Sequence, residues 1–222
     1  MPRRPRTVSS PGARRSTSST DTLLVMSSVV DKLGIAEEAA RLVCEEHLSD
    51  YRSAKLKALQ RLRLPPRTPL PDNARVHAAV LDYLQLFGGE AYRQRLQQMR
   101  RTAPRVMQGL AAFDPRLSGT VVSGAVTETS HLQLHLFADQ AELLDVFLLE
   151  RGIDFEQDER RYRYPDGHEA ALPLARFAFE DLVVDAVVFP AGEQSRLPLS
   201  PLDGLPCVRL TLAEAQRLAG ES

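Results

Sequence analysis

The stretch Gly119–Phe137, GTVVSGAVTETSHLQLHLF, is where the chain changes character. Upstream of it, apolar residues recur every three or four positions. Within it, HLQLHLF (131–137) alternates strictly, with His131, Gln133 and His135 on one face and Leu132, Leu134 and Leu136 on the other. That period of two is the mark of a half-buried strand. GTVVSGAV (119–126) also reads as a strand, so the stretch predicts a hairpin. Gly119 and Gly124 permit either tight turns or a close approach of backbone N–H groups to a ligand, and Thr120 adds a hydroxyl.

Working upstream, Ala39, Leu42, Val43, Leu48, Tyr51, Ala54, Leu56, Leu59 and Leu62 give one apolar stripe, which predicts a long helix from Ile35 to Leu62. The proline-rich PPRTPLPDN (65–73) ends it. Asp72 or Asn73 then caps a helix running to Phe87 and stopped at Gly88-Gly89. A third helix, from about Glu90 to Leu110, turns Leu96, Met99, Val106 and Leu110 inward and most of its arginines outward, with Pro104 as a point of breakage.

Downstream, DQAELLDVFLLERG (139–152) is a short helix with an acidic first turn and a glycine stop. Strand-like runs follow at 153–155, 161–164, 174–179 and 182–189, and Thr211 caps a last helix, LAEAQRLAG. The order predicts an α+β protein, an N-terminal bundle of three long helices packed with a small mixed sheet that carries a few helices. The division falls into a tail (1–25), a helical region (26–112) and an α/β region (113–222). The tail is rich in Arg and Ser and has too little apolar surface to offset its ordering entropy, so disorder is expected there, with Met26 as an alternative start.

A hydrophobic fraction of 43% and a charged fraction of 26% are ordinary for a water-soluble chain. No apolar run approaches the length that spans a bilayer. Cys44 and Cys207 are too far apart to form a zinc knuckle or a disulfide framework, which fits a reducing, cytoplasmic setting. The net charge of -1 hides a split: residues 51–105 hold twelve Arg or Lys against three acids, and residues 131–185 hold thirteen acids against five Arg. Either a basic helical layer meets an acidic sheet layer, or the basic helices receive a nucleic acid or an acidic protein. With 25 Arg to 3 Lys, the pattern of a GC-rich genome, single arginines are not read as phosphate clamps.

The frame Gly119-Thr120, Gly124, Ser130-His131-Leu132-Gln133-Leu134 resembles the active-site hairpin of the polymerase-beta-like nucleotidyltransferase superfamily, most of all its small bacterial members. That hairpin begins Gly-Ser, has a second glycine four residues after the Ser, and ends Ser-Asp-hydrophobic-Asp-Leu. The spacing matches without insertion, and Asp185 in VVDAVVF falls where a third acid is expected. DYRSAKLKALQRL, LPDNARVHAAVLDYLQLF and LPLSPLDGLP are in turn similar to phrases of a proteobacterial family labelled nucleotidyltransferase. The resemblance implies nucleotide-binding positions at Gly119, Thr120, Gly124 and Ser130, and metal-binding positions at His131, Gln133 and Asp185.

Two of those three positions have lost their carboxylates. Two-metal phosphoryl chemistry rests on acids that hold Mg²⁺ beside a nucleoside triphosphate. A neutral imidazole and an amide bring no negative charge, so a catalytically impaired protein that retains nucleotide binding or works through a partner is the leading expectation. An active transferase would need other carboxylates, such as those in Asp154–Glu159. Alternatively His131, His135 and Asp185 could gather Zn²⁺ or Fe²⁺. Asp185, inside an apolar run, needs a partner such as Arg116 or Arg176. His47, His77 and His168 read as surface residues, Glu37-Glu38 and Glu45-Glu46 as solvated helix faces, and Ser130 has no relay for a hydrolase triad.

Overall fold

A computed structural model describes residues 19–48 and 50–220, with side chains from residue 32 onward. The fold is α+β, with N-terminal helices packed together and a five-stranded mixed sheet carrying further helices. Residues 1–18 of the tail lie outside the described residues. The rest of it is helical, since α1 runs Ser19–Glu45 with no proline to interrupt it.

The single helix expected over 35–62 is two. α1 stops at Glu45, His47 takes a left-handed φ of 57°, and α2 (Tyr51–Arg61) starts anew. Asp50 is the cause: its carboxylate accepts from the backbone N–H groups of Arg52 and Ser53 and caps the new helix. The apolar stripe continues across the break because both helices bury it in one core, Ile35, Leu42, Ala54 and Ala58 being fully enclosed. α3 (Asn73–Phe87), capped by Asp72, closes this bundle with Val76, Val80 and Leu84.

α4 (Gly89–Gly109) is continuous through Pro104. A proline removes one backbone hydrogen bond, but here the surrounding turns bury Met99, Ala103, Val106 and Met107 against the sheet, which holds the helix together. That burial also assigns α4 to the sheet core and not to the bundle, so by packing the chain divides at Gly88-Gly89.

The sheet order is β1-β2-β5-β4-β3, with β1 Arg116–Ser118, β2 Leu132–Ala138, β3 Phe155–Arg163, β4 Glu169–Phe179 and β5 Leu182–Pro190. β2 and β5 are parallel and the other pairs antiparallel. The two runs expected at 153–155 and 161–164 are one nine-residue strand, β3, whose middle reads EQDER. It lies at a sheet edge, where exposed charges discourage pairing with another chain, so no apolar alternation marks it. One face of the sheet carries Leu132, Leu134, Leu136, Val184, Ala186 and Val188 and is covered by α4, α6 (Glu142–Glu150) and α7 (Leu212–Gly220). α7 starts in a capping box: Thr211 Oγ1 accepts from the Glu214 N–H while the Glu214 carboxylate accepts from the Thr211 N–H.

The segment expected as the first strand of the hairpin differs most. Only Arg116–Ser118 pairs with β2; Thr120–Ser123 form one helical turn, α5, set between two glycines. Gly119 has φ 79°, ψ −153°, a region open essentially to glycine alone, and Gly124 is left-handed at φ 90°. The chain thus leaves the sheet at Gly119 and loops back to β2, and this loop overhangs the second face of the sheet.

Candidate functional site

Register builds the site. Across the sheet, Ser118 stands opposite Gln133, Gln133 opposite Asp185, Asp185 opposite Arg176, and Arg176 opposite Glu156. Directly paired residues share a face, so this row runs across all five strands on the side away from α4 and α7. His131, two residues before Gln133, and Arg160 on β3 lie beside it. Above the row is a cleft of about 940 Å³. Its floor is the sheet, its near wall the Gly119–Ser130 loop, and its far walls the bundle (Val43, Tyr51, His77, Val80) and the segment 200–208.

Asp185 is the centre. It is 1% exposed, yet ionised: Arg176 Nε donates to Oδ1 at 2.8 Å, Arg160 Nη2 to Oδ2 at 2.7 Å, and His131 Nδ1 lies 3.2 Å from Oδ1. Burial pushes the carboxyl's pKa up, but the Arg176 hydrogen bond together with the charges of Arg160 and His131 outweighs it, and the net direction is below the ordinary carboxylate value. Of the two partners expected, Arg176 is the one used; Arg116 instead forks onto Asp114. Arg160 was not foreseen at all. In sequence it is one of three arginines on a charged strand, and only the β3–β4–β5 pairing brings it over Asp185.

Three of the four loop positions come together at the cleft. Gly119, Thr120 and Ser130 line the cleft, with Thr127 and Thr129 adding hydroxyls. Thr120 Oγ1 is buried and has no hydrogen-bond partner among the described residues. Ser130 closes its turn by accepting from the Thr127 N–H. Gly124 stands behind the loop, in reach of Tyr92, Leu81 and Arg100. α4 holds the whole loop down: Tyr92 Oη donates to the Gly124 carbonyl, Arg95 to those of Thr127 and Ser130, and Arg100 to that of Val121. Arginines expected to face solvent here position the loop. Gln133 packs directly over Gly119, filling the space a Cβ there would occupy.

The metal alternative is not assembled. His135 shares the strand face but is 1% exposed and has both ring nitrogens engaged, Nδ1 accepting from Arg209 Nε at 2.9 Å and Nε2 donating to Tyr162 Oη at 3.0 Å. Desolvation first, and then the nearby Arg209 and Arg160 charges, push its pKa well below the usual imidazole value, so it is neutral. Among the described residues no three His, Cys, Asp or Glu side chains converge as a ligand set. The Mg²⁺ pair implied by the resemblance does not fit either. Hard cations need oxygen donors, and here both Asp185 oxygens face guanidiniums that would repel a cation.

The acids of Asp154–Glu159 are set apart from Asp185 by a strand and a cation. β4 intervenes between their strand and β5, and the Arg176 guanidinium lies between the carboxylates, bonded to Asp185 and 4.0 Å from Asp158. His77, expected at the surface, is buried in the cleft wall and hydrogen-bonded to Tyr51 Oη at 3.0 Å, its pKa lowered by desolvation. His47 is exposed and lies 3.4 Å from Glu128. Glu46 bridges α1 to α2 through Lys57 and Arg61, and Arg105 meets Glu180, so part of the basic charge of 51–105 is paired within the fold. Both cysteines are free, and no helix of the described residues is long and apolar enough to cross a membrane. Comparisons with family models, with curated proteins and with solved structures find no match to this chain.

Proposed function

We propose that this protein is a nucleotide-binding member of the nucleotidyltransferase-like folds that does not perform nucleotidyl transfer. The observation that carries the reading is the state of Asp185, a buried carboxylate whose two oxygens are bound by Arg176 and Arg160. Transfer on this kind of frame rests on carboxylates free to hold two metals. Here one remains, and it serves as the anchor for two cations. Binding is supported by the cleft's other features: the two guanidiniums of Arg160 and Arg176, a hydroxyl-rich loop, and the unpartnered Thr120 hydroxyl. Guanidiniums fork onto phosphate oxygens, and hydroxyls complete their coordination.

The test has two arms. Purified protein with labelled ATP, CTP, GTP or UTP and Mg²⁺ or Mn²⁺ should transfer no label to itself, to RNA or to small hydroxyl acceptors. Isothermal titration with the same nucleotides should show saturable binding that Arg160→Gln weakens at least about tenfold, the loss of one charge-assisted contact. Transfer that Asp185→Ala abolishes would overturn the reading, as would the absence of binding by any nucleotide.

A further inference from the structure

The cleft floor holds a charge arrangement opposite to the one a metal-dependent site needs. Arg160 and Arg176 converge on Asp185 from β3 and β4. Against these stand Asp185 and, on the facing segment, Asp203. Around Asp185 itself two guanidiniums face one carboxylate, an excess of one positive charge before any histidine is protonated. A guanidinium has five N–H donors, and Asp185 takes one from Arg160 and two from Arg176. With side chains 27% and 30% exposed, both arginines keep donors at the cleft surface. Asp185 fixes their planes, so little ordering entropy remains to be lost when an anion arrives.

We infer that Arg160 and Arg176 take the place of the divalent cations, and that the cleft binds its phosphorylated ligand in the metal-free form. The inference rests on the nucleotide-binding reading above and specifies which species of the nucleotide is bound. A Mg²⁺ ion chelated by a polyphosphate occupies the oxygens that the guanidiniums would fork onto and cancels two of its negative charges. It would also be carried to within a few ångströms of two fixed cations. Metal complexation should therefore oppose binding, the reverse of its effect at an acidic two-metal site.

Titration calorimetry with ATP and with inorganic triphosphate, in EDTA and in excess Mg²⁺ at matched ionic strength, reads this directly. Affinity in EDTA should exceed that in Mg²⁺ by about tenfold or more, roughly one lost charge-assisted contact. The double variant Arg176→Gln, Asp185→Asn removes a paired cation and anion together, and it should bind more weakly in EDTA with less sensitivity to Mg²⁺. Arg161→Gln, exposed and turned to the opposite strand face from Arg160, should change neither the affinity nor the Mg²⁺ effect by more than about twofold. Equal or tighter binding in Mg²⁺ would overturn this inference and leave nucleotide binding standing. No binding in either buffer would overturn both.

Discussion

His131, just before β2, and His135, within it, stand four residues apart on one face, and the fold uses them in opposite ways. His135 is sealed among Phe189, Tyr162 and Arg209, neutral, with a fixed tautomer: the Arg209 N–H can only donate, so Nδ1 must accept and Nε2 must carry the proton. His131 lies one third exposed at the mouth of the cleft, beside an ionised carboxylate. Strand alternation groups the two residues; the far edge strand separates them. β3 brings Tyr162 over one and Arg160 over the other's partner. A shared strand face is therefore weak evidence for a shared site, and residues on β3, three strands away in the sheet, decide which histidine belongs to the chemistry.

Removing His135 should have the larger effect. His135→Ala leaves a cavity in a closed aromatic cluster and strands a buried Tyr162 hydroxyl and an Arg209 N–H, a loss of about 3–4 kcal/mol by chemical denaturation. A loss below about 1 kcal/mol would mean that the cluster is not the closed core described here. Next is Arg176→Ala. It leaves Asp185 buried with only Arg160 and His131, and breaking a buried pair from one side costs about 2–3 kcal/mol when other partners persist. Asp185→Asn should cost less, about 1–2 kcal/mol, because the freed guanidiniums reach water. If Asp185→Asn proves the more damaging of the two, the carboxylate is holding the strands together more than the arginines are holding the carboxylate.

The pH dependence separates the two clusters further. His135 is depressed in the folded state, so the unfolded chain binds a proton that the folded chain refuses. Stability should fall as pH drops below the ordinary imidazole value of about 6.5, by up to about 1.4 kcal/mol per pH unit from this one group. His135→Asn should lose that share of the slope. Asp185 is also depressed, but for a carboxylate this contribution is complete above about pH 4 and is lost as pH falls through the lower folded value. Asp185→Asn should therefore flatten only the acid limb, and thermal melts of the two variants from pH 3 to 8 distinguish the windows.

How far the sequence reached is set by the same contrast. The fold class, the break after Phe87, β2, β5 and the cap at Asp72 follow from periods of 3.6 and 2 and from capping residues, which are local signals. The break at Asp50 was also local but was masked, because the apolar stripe continues across it into one core. Residues 120–123 (TVVS) are β-branched enough to read as strand, yet Gly119 turns the chain into a helical turn that α4 clamps with Tyr92, Arg95 and Arg100. Asp185 with Arg176 was accessible from a buried acid seeking a partner. Arg160 was not, since it sits on a charged edge strand and its role arises only from register. The burial of His77 likewise depends on the meeting of bundle and cleft, which no local pattern encodes.

The smallest stability effect should come from His131. Its ring is one third exposed, it makes a single contact to Asp185, and that carboxylate keeps both arginines without it. His131→Ala should therefore change stability by less than about 1 kcal/mol, against the several expected for His135→Ala. The two substitutions remove the same ring from the same strand face, so the ratio isolates environment from chemistry. Ligand binding should invert the order. His131 lines the cleft and holds one Asp185 oxygen toward Arg176, so its loss lets the carboxylate and guanidiniums reorient just where an anion would be received. A nucleotide titration in which His131→Ala weakens binding several-fold, with the melting temperature unchanged, places this histidine in the site. If binding too is unaltered, the site begins at Arg160 and Arg176, and His131 is only its rim.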